Sequence, residues 1–272
     1  MAEFHDLAEL ALNRDNQSWG NLGYWKKDTE YSGACRALAL LLGEDARLDE
    51  QSVVFDAGFG CGDQLSLWLT HFRVVQVRGV NLSRSQTAHA RDRLAEAGFP
   101  AAAAAIVQGD INDGQAWHAT LGTDRPSHVL ALDCAYHFPS RLEFIALSHQ
   151  HLAPAGRIAL TDFMLADQHR TGSITHQLLR WMLRRSHIAE ANIVHRTRYL
   201  NQLRAAGFEE ARIIDISQHV MPGFAHFVRT FQGKARAGWK ARLKYAVTGR
   251  FLQCAYRRSI LRYCLISATK KD

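Results

Sequence analysis

The stretch VVFDAGFGCGDQLSLWL, residues 53–69, joins an apolar β-branched run to an acid, three glycines at alternate positions and a segment of helical period. This pattern predicts a buried strand, a turn that holds a phosphate or a nucleoside, and the start of a helix. Gly58, Gly60 and Gly62 follow the spacing G-x-G-x-G, whereas the dinucleotide fingerprint needs its third glycine one residue later. The loop alone therefore leaves open whether the ligand is a dinucleotide or another compound.

Strand and helix signals alternate on both sides of this loop. Runs rich in β-branched residues predict seven strands, and the segments between them carry apolar residues at helical spacing. The predicted strands are 51–57, 74–81, 103–108, 127–133, 155–162, 211–216 and 260–268. This alternation predicts an α/β fold, a seven-stranded and mostly parallel sheet with helices on both faces, whose ligand site lies at the carboxyl ends of the strands.

Two segments interrupt the alternation, at 163–197 and 217–259, and neither has the composition of a linker. A chain of 272 residues with 47% apolar residues can bury one substantial core. We therefore expect a single domain over 1–272, with an N-terminal helical cap at 1–48 and two helical insertions that form a lid over the substrate.

Basic residues dominate the end of the chain, where Arg229 to Lys271 contains no acid and the whole protein has a net charge of +7. This block is either a solvated helix face or a surface that contacts nucleic acid or anionic lipid, with peripheral membrane contact through 229–262 left open. No stretch reaches the roughly 18 apolar residues of a membrane span, and the N-terminus has no basic leader, so we expect a cytoplasmic protein. The cysteines and histidines lack metal-ligand spacing, and no metal is expected.

The charge around the glycine loop favours a cationic ligand. Asp56 stands two residues before the first glycine, where a carboxylate attracts positive charge and disfavours a pyrophosphate. Asn81 ends the second predicted strand, where nicotinamide binding needs an acid. Asp110, in QGDIND after the third strand, can accept a hydrogen bond from an adenine amino group. S-adenosylmethionine has an ammonium, a sulfonium and no phosphate, and is the predicted ligand; the alternative is that these residues serve as caps and turns.

Several motifs resemble those of the class I S-adenosylmethionine-dependent methyltransferases. VVFDAGFGCGDQ is similar to motif I, RGVNLSRSQTAHAR to the segment after it, and QGDIND to the adenine-contacting turn. HVLALDCAYHFPSRLEFIALSHQHLAPAGRIALTDF resembles the block of motifs II and III. With NLGYW at 21–25, the resemblance extends from about Asn21 to Lys271 and points to the small-molecule branch with γ-tocopherol-like and sugar O-methyltransferases. It implies an antiparallel last strand.

The resemblance also implies which residues bind the cofactor. Tyr24 either closes over the methionine half of the cofactor or holds the N-terminal segment against the sheet. The full set of implied cofactor-binding residues is Tyr24, Asp56, Gly58, Gly60, Gly62, Gln64, Asn81, Leu82, Gln86, Asp110, Ile111 and Asp133.

Methyl transfer is an in-line displacement at an activated carbon, so alignment and exclusion of water supply most of the catalysis. A base is needed where the acceptor starts protonated, and His137 matches the histidine that the family carries after its fourth strand. Asp162 matches the family's acid after the fifth strand and would orient the imidazole or hold an acceptor hydroxyl. The alternatives are a histidine that bonds its own turn and an acid that caps a loop.

The expected function is methyl transfer from S-adenosylmethionine, with S-adenosylhomocysteine as product, to a small amphipathic or aromatic acceptor. A hydroxyl acceptor is expected, and N- or C-methylation stays open. Tyr136, Phe227 and Trp239 are the predicted acceptor contacts. A nucleic-acid-binding protein on the same fold is less favoured, because no NPPY-like tetrapeptide follows the fourth strand.

Overall fold

The computed structural model describes residues 12–13, 17–169, 172, 174–231 and 239–271. Seven strands form one sheet in the order β3-β2-β1-β4-β5-β7-β6. They are β1 (Val53–Ala57), β2 (Gln76–Asn81), β3 (Ile106–Gln108), β4 (His128–Ala131), β5 (Arg157–Leu165), β6 (Phe208–Asp215) and β7 (Leu261–Lys270). The first five strands in this order, from β3 to β5 across the sheet, pair in parallel. Strand β7 lies between β5 and β6 and is antiparallel to both.

Helices connect the strands and cover both faces of the sheet. They are α1 (Tyr31–Ala46), α2 (Asp63–Thr70), α3 (Arg84–Glu96), α4 (Pro100–Ala104), α5 (Gly114–Leu121), α6 (Arg141–His151), α7 (Ile174–Arg185), α8 (Arg196–Ala205), α9 (Ser217–Thr230) and α10 (Trp239–Arg257). Short 3-10 turns occur at Ala135–His137 and Glu190–Asn192. In the part of the chain described here, no helix combines the length and apolar character needed to cross a bilayer.

The core has two layers, one on each face of the sheet, because successive side chains of a strand point in opposite directions. Val54 packs into the layer that contains residues of α1, α2, α3, α9 and α10. Phe55, the next residue, packs into the layer with residues of α5, α6 and α8, where it stacks on Trp117 with ring centroids 4.1 Å apart. Both layers exclude water, and the open boundary of the sheet is left at its carboxyl edge.

All seven predicted strands are present, and the antiparallel last strand is confirmed. The boundaries differ where β7 extends its neighbours: β5 continues to Leu165 because that residue still pairs with Leu261. The segment predicted as a helical insertion from residue 163 therefore begins with strand, and α7 starts at Ile174. Of the predicted cap at 1–48, α1 is described, and residues 1–11 and 14–16 lie outside the described residues.

The N-terminal segment, residues 17–25, crosses the carboxyl edge of the sheet without regular secondary structure. The amide of Ser18 donates to Asp63 at the start of α2, at 3.1 Å. The amide of Leu22 donates to Asp133 beyond β4, at 2.6 Å. The amide of Trp25 donates to the carbonyl of His219 in α9, at 2.7 Å. The segment thus links the glycine loop region to the helices that follow β6.

Candidate active site

Three glycines form the loop between β1 and α2, and all three have positive φ angles: 75° at Gly58, 57° at Gly60 and 90° at Gly62. A Cβ added to Gly58 would lie 2.9 Å from Sγ of Cys134, and one added to Gly62 would lie 2.8 Å from Cβ of Ala90. A Cβ added to Gly60 would meet nothing within 4 Å. Gly58 and Gly62 are therefore required for packing, whereas Gly60 borders open space at the sheet edge.

Asn81, at the end of β2, contacts this loop directly. Its Oδ1 accepts a hydrogen bond from the amide of Gly60 at 3.3 Å, and its Nδ2 donates to Gln86 Oε1 at 3.3 Å. The neighbouring Leu82 is exposed, with 69% of its surface accessible. Asn81, a predicted cofactor-binding residue, thus lies beside the one glycine of the loop whose added Cβ would meet open space.

Asp110 follows β3 on the same edge and is exposed. Its Oδ1 accepts from the amide of Asn112 at 2.9 Å, which fixes the turn and leaves the second oxygen at the surface. Ile111 is buried, and its carbonyl accepts from Nε1 of Trp117 at 2.7 Å. The turn therefore presents one carboxylate to solvent from a rigid base.

Asp56 lies behind the glycine turn, where its sequence position placed it. Its side chain is fully buried, and it accepts hydrogen bonds from Gln64 Nε2 at 2.9 Å and Trp68 Nε1 at 2.6 Å. Burial raises its pKa to about 6, and these two donors oppose that rise. In this structure Asp56 and Gln64 hold α2 against the end of β1, behind the glycine turn.

Asp133 lies just beyond β4 and is buried. Its φ is 55°, a left-handed value that aspartate, asparagine and glycine adopt more readily than other residues. One oxygen accepts from the hydroxyls of Tyr136 at 2.8 Å and Tyr263 at 2.5 Å, and the other from the Leu22 amide at 2.6 Å. Burial raises its pKa to about 7 despite these donors. The Tyr263 hydroxyl also lies 2.9 Å from Oγ1 of Thr161.

His137 closes the 3-10 turn that follows, and the side chain is partly exposed. We call residues 134–138 the His137 turn. The ring of Tyr136 packs on that of His137 with centroids 4.4 Å apart. Sγ of Cys134 donates to the carbonyl of Ala57, which precedes Gly58, at 3.0 Å. The His137 turn therefore contacts the glycine loop, and the two predicted halves of the site adjoin.

Asp162 is fully buried in β5 and forms an ion pair with Arg141 at 3.0 Å. It also accepts from the hydroxyl of Tyr199 at 2.9 Å and the amide of Phe163 at 2.7 Å. Burial raises its pKa, and Arg141 and Tyr199 act in the opposite direction. The structure places this acid in the layer under α6 and α8, so any influence on the open edge passes through its partners.

The three remaining predicted contact residues differ in how far they are buried. Tyr24 is half-buried, with its ring edge-on to His219 at 5.2 Å, and burial raises its pKa. Phe227 is buried, and its ring stacks on that of Trp25 with centroids 5.0 Å apart. Trp239, the first residue of α10, is 70% exposed. Within the described ranges, no three His, Cys, Asp or Glu side chains converge to hold a metal ion.

Comparisons with known proteins agree with this arrangement. A family model described as a methyltransferase domain matches residues 24–211. The chain is 30% identical over 239 residues to erythromycin 3''-O-methyltransferase of Saccharopolyspora erythraea, covering 85% of this chain and 76% of that protein. It is 26% identical to 27-O-demethylrifamycin SV methyltransferase of Amycolatopsis mediterranei, covering 94% and 93%.

The solved structures extend the likeness to the whole fold. The geranyl diphosphate C-methyltransferase from Streptomyces coelicolor A3(2) superposes with a TM-score of 0.70 at 14% identity. The match covers 99% of this chain and 98% of that one. At this identity the likeness concerns the fold, and it includes the helices that follow β5 and β6.

Proposed function

This chain belongs to the class I S-adenosylmethionine-dependent methyltransferases, and we propose that it methylates a hydroxyl of an amphipathic metabolite. The observation that carries the proposal is the contact between the glycine loop and the His137 turn. A cofactor held by the loop and an acceptor held beside His137 would then be neighbours on one edge of the sheet.

The residues at this edge fit S-adenosylmethionine. Gly60 has open space where any other residue would carry a Cβ, as a loop that lies against a ligand requires. Asn81 and Asp110 present an amide and a carboxylate at the ends of β2 and β3, suited to ribose hydroxyls and an adenine amino group. No pyrophosphate site competes, because the acids near the loop would repel one.

The bound cofactor supplies a methyl carbon that its sulfonium has already activated. The chain would hold the acceptor in line with that carbon, and a ring nitrogen of His137 would take the proton from the acceptor hydroxyl. Asp133 would hold the cofactor side of the same turn, because its oxygens accept hydrogen bonds from β7 and from the N-terminal segment. Tyr136, which packs on His137, would border the acceptor.

The acceptor class follows from the relatives and from the surface of the helices. Two relatives are named for O-methylation of large secondary metabolites, erythromycin and a rifamycin. The insertions at 163–197 and 217–259 carry exposed apolar side chains, namely Leu178, Trp181, Trp239 and Leu243. We propose that these insertions, with the cap at 1–48, form a lid over the apolar part of the acceptor, and that Trp239 contacts it.

Within 229–262, α10 carries basic residues on the same helix as two of these apolar side chains, Trp239 and Leu243. This combination supports peripheral contact with anionic lipid by a cytoplasmic enzyme, as a second role of the same surface. Liposome association that disappears above roughly 0.3 M salt would support the contact, because the Debye length then falls to about half of its value at 0.1 M. Association that is insensitive to salt would contradict it.

The direct test is transfer of a radiolabelled methyl group from S-adenosylmethionine. Acceptors to compare are erythromycin lacking its 3''-O-methyl group, 27-O-demethylrifamycin SV, and lipid and polar fractions of a producer-cell extract. We expect label in a compound that loses it on treatment cleaving methyl ethers. Label retained in an amine or a carbon-bound methyl group would replace O-methylation by N- or C-methylation.

A further inference from the structure

The His137 turn is held from one side by a single buried amide. Asn192 is 3% exposed, and its Nδ2 donates to the carbonyls of Phe138 at 2.7 Å and Tyr136 at 3.3 Å. These two carbonyls belong to the residues on either side of His137. Asn192 therefore fixes the backbone of the turn at both neighbours of the proposed base.

Arg141 holds Asn192 in turn. The amide of Arg141 donates to Asn192 Oδ1 at 2.9 Å, and its guanidinium donates to the backbone carbonyl of Asn192. The same guanidinium pairs with Asp162 at 3.0 Å and lies 4.0 Å over the ring of Tyr199. Both polar atoms of the Asn192 side-chain amide thus have hydrogen-bond partners. The ion pair between Arg141 and Asp162 connects this cluster to β5.

The residue type at 192 is determined by this geometry. A side-chain amide offers two hydrogens on one atom and an acceptor on the other, and here both functions are used. A carboxylate of the same shape would keep the acceptor for the Arg141 amide, but it would direct its second oxygen at both carbonyls. Asn192 also belongs to the 3-10 turn that ends the first helical insertion, so it joins the insertion to the His137 turn.

We propose that Asn192 is a positioning residue for methyl transfer, holding the His137 turn through the carbonyls of Tyr136 and Phe138 while Arg141 and Asp162 hold Asn192. The proposal rests on the proposed function, in which His137 takes the acceptor proton. It gives Asp162 a part in the reaction that needs no contact with the acceptor.

Arg141 is unsuited to the test, because its removal would leave Asp162 as an unpaired buried carboxylate. The test therefore uses Asn192→Ala, with the isosteric Asn192→Asp as the second variant and Glu190→Ala as the matched control. Glu190 lies in the same 3-10 turn, but its side chain is 49% exposed and pairs with Arg180. Melting temperature and S-adenosylhomocysteine affinity are measured first for each variant, by calorimetry.

We expect Asn192→Ala and Asn192→Asp to lower kcat for the acceptor by about 10- to 100-fold, which is at or below the lower end of the roughly 10²- to 10⁴-fold that a base supplies. S-adenosylhomocysteine affinity should stay within about threefold, and Glu190→Ala should keep wild-type kcat. In a His137→Ala background, Asn192→Ala should lower kcat by less than about twofold, because residues that act as a unit are not additive.

Equal losses in the two backgrounds would overturn the proposal, since Asn192 would then act independently of His137. Wild-type kcat in a folded Asn192→Asp protein would overturn it as well. If His137→Ala itself keeps wild-type kcat, the proposed base is wrong and the positioning role is lost with it. The single-variant and double-variant arms therefore separate the failure of this inference from the failure of the proposed function.

Discussion

Asp133 should make the stability of this protein depend on pH in a way that one substitution removes. In the folded chain its pKa is about 7, against an ordinary value of 3.8, because burial disfavours the ionised form. The folded state therefore binds more protons than the unfolded state between these two values. The resulting contribution to stability is fully present below about pH 4 and is lost as the pH rises through 7.

The magnitude follows from the size of the shift. One pKa unit corresponds to about 1.36 kcal/mol, so the contribution of Asp133 should fall by roughly 3 kcal/mol between pH 4.5 and 7.5. Asp133→Asn removes the titration. Its amide can still accept from Tyr136 and Tyr263, but its Nδ2 meets the Leu22 amide as a second donor. That mismatch is independent of pH and adds a constant offset.

Urea unfolding of the wild type and of Asp133→Asn at half-unit steps of pH measures both parts. We expect the wild-type free energy of unfolding, relative to the variant, to decline by roughly 3 kcal/mol over this range. Tyr263→Phe should shift the decline to higher pH, because the Tyr263 hydroxyl lowers the pKa of Asp133. A difference between wild type and Asp133→Asn that stays flat within about 1 kcal/mol would refute the reasoning.

Three further predictions concern the site. Gly60→Val should abolish S-adenosylhomocysteine binding in calorimetry, because its side chain would fill the open space beside the loop. The control Gly98→Val, at a φ of 86° with no neighbour within 4 Å, should bind normally. Equal binding by both variants would contradict the assignment of the loop to the cofactor. His137→Ala should lower kcat on the true acceptor by about 10²-fold and leave cofactor affinity within a few-fold. Phe227→Ala should lower the free energy of unfolding in urea by about 3–5 kcal/mol, as the loss of a buried aromatic ring does. Trp239→Ala, at an exposed residue, should keep wild-type stability and raise the acceptor KM. The reverse pattern would exchange their roles.

The sequence predicts the strands and the glycine loop because both signals are local. Alternating or continuous apolar runs mark β1 to β7, and the three alternating glycines mark the loop that follows β1. The C-terminal end of β5 was harder to predict, because its last residues pair with β7, nearly 100 residues later in the chain. The hydrophobic periodicity of the β5 segment alone gives no information about this distant partner.

The side-chain environment of the acids could not be predicted in the same way. Asp56 is predicted to lie behind the glycine turn, but the spacing gives no sign of the donors on α2, Gln64 and Trp68, that hold its carboxylate there. Asn192 lies 54 residues from one of the carbonyls that it holds, and Tyr263 lies 130 residues from Asp133. Such contacts depend on how strands are ordered in the sheet, which no spacing in the sequence expresses.

The position of β7 has a consequence for how the protein is made. In the described sheet β6 pairs with β7, and β7 is the last of the seven strands to leave the ribosome. Until it does, β6 has no partner and the edge of β5 stays open to other chains. The same strand brings the Tyr263 hydroxyl to Asp133. A nascent chain therefore completes its sheet and the surroundings of its buried acid in one step, and a chain without residues 261–270 would expose the unpaired edges of β5 and β6.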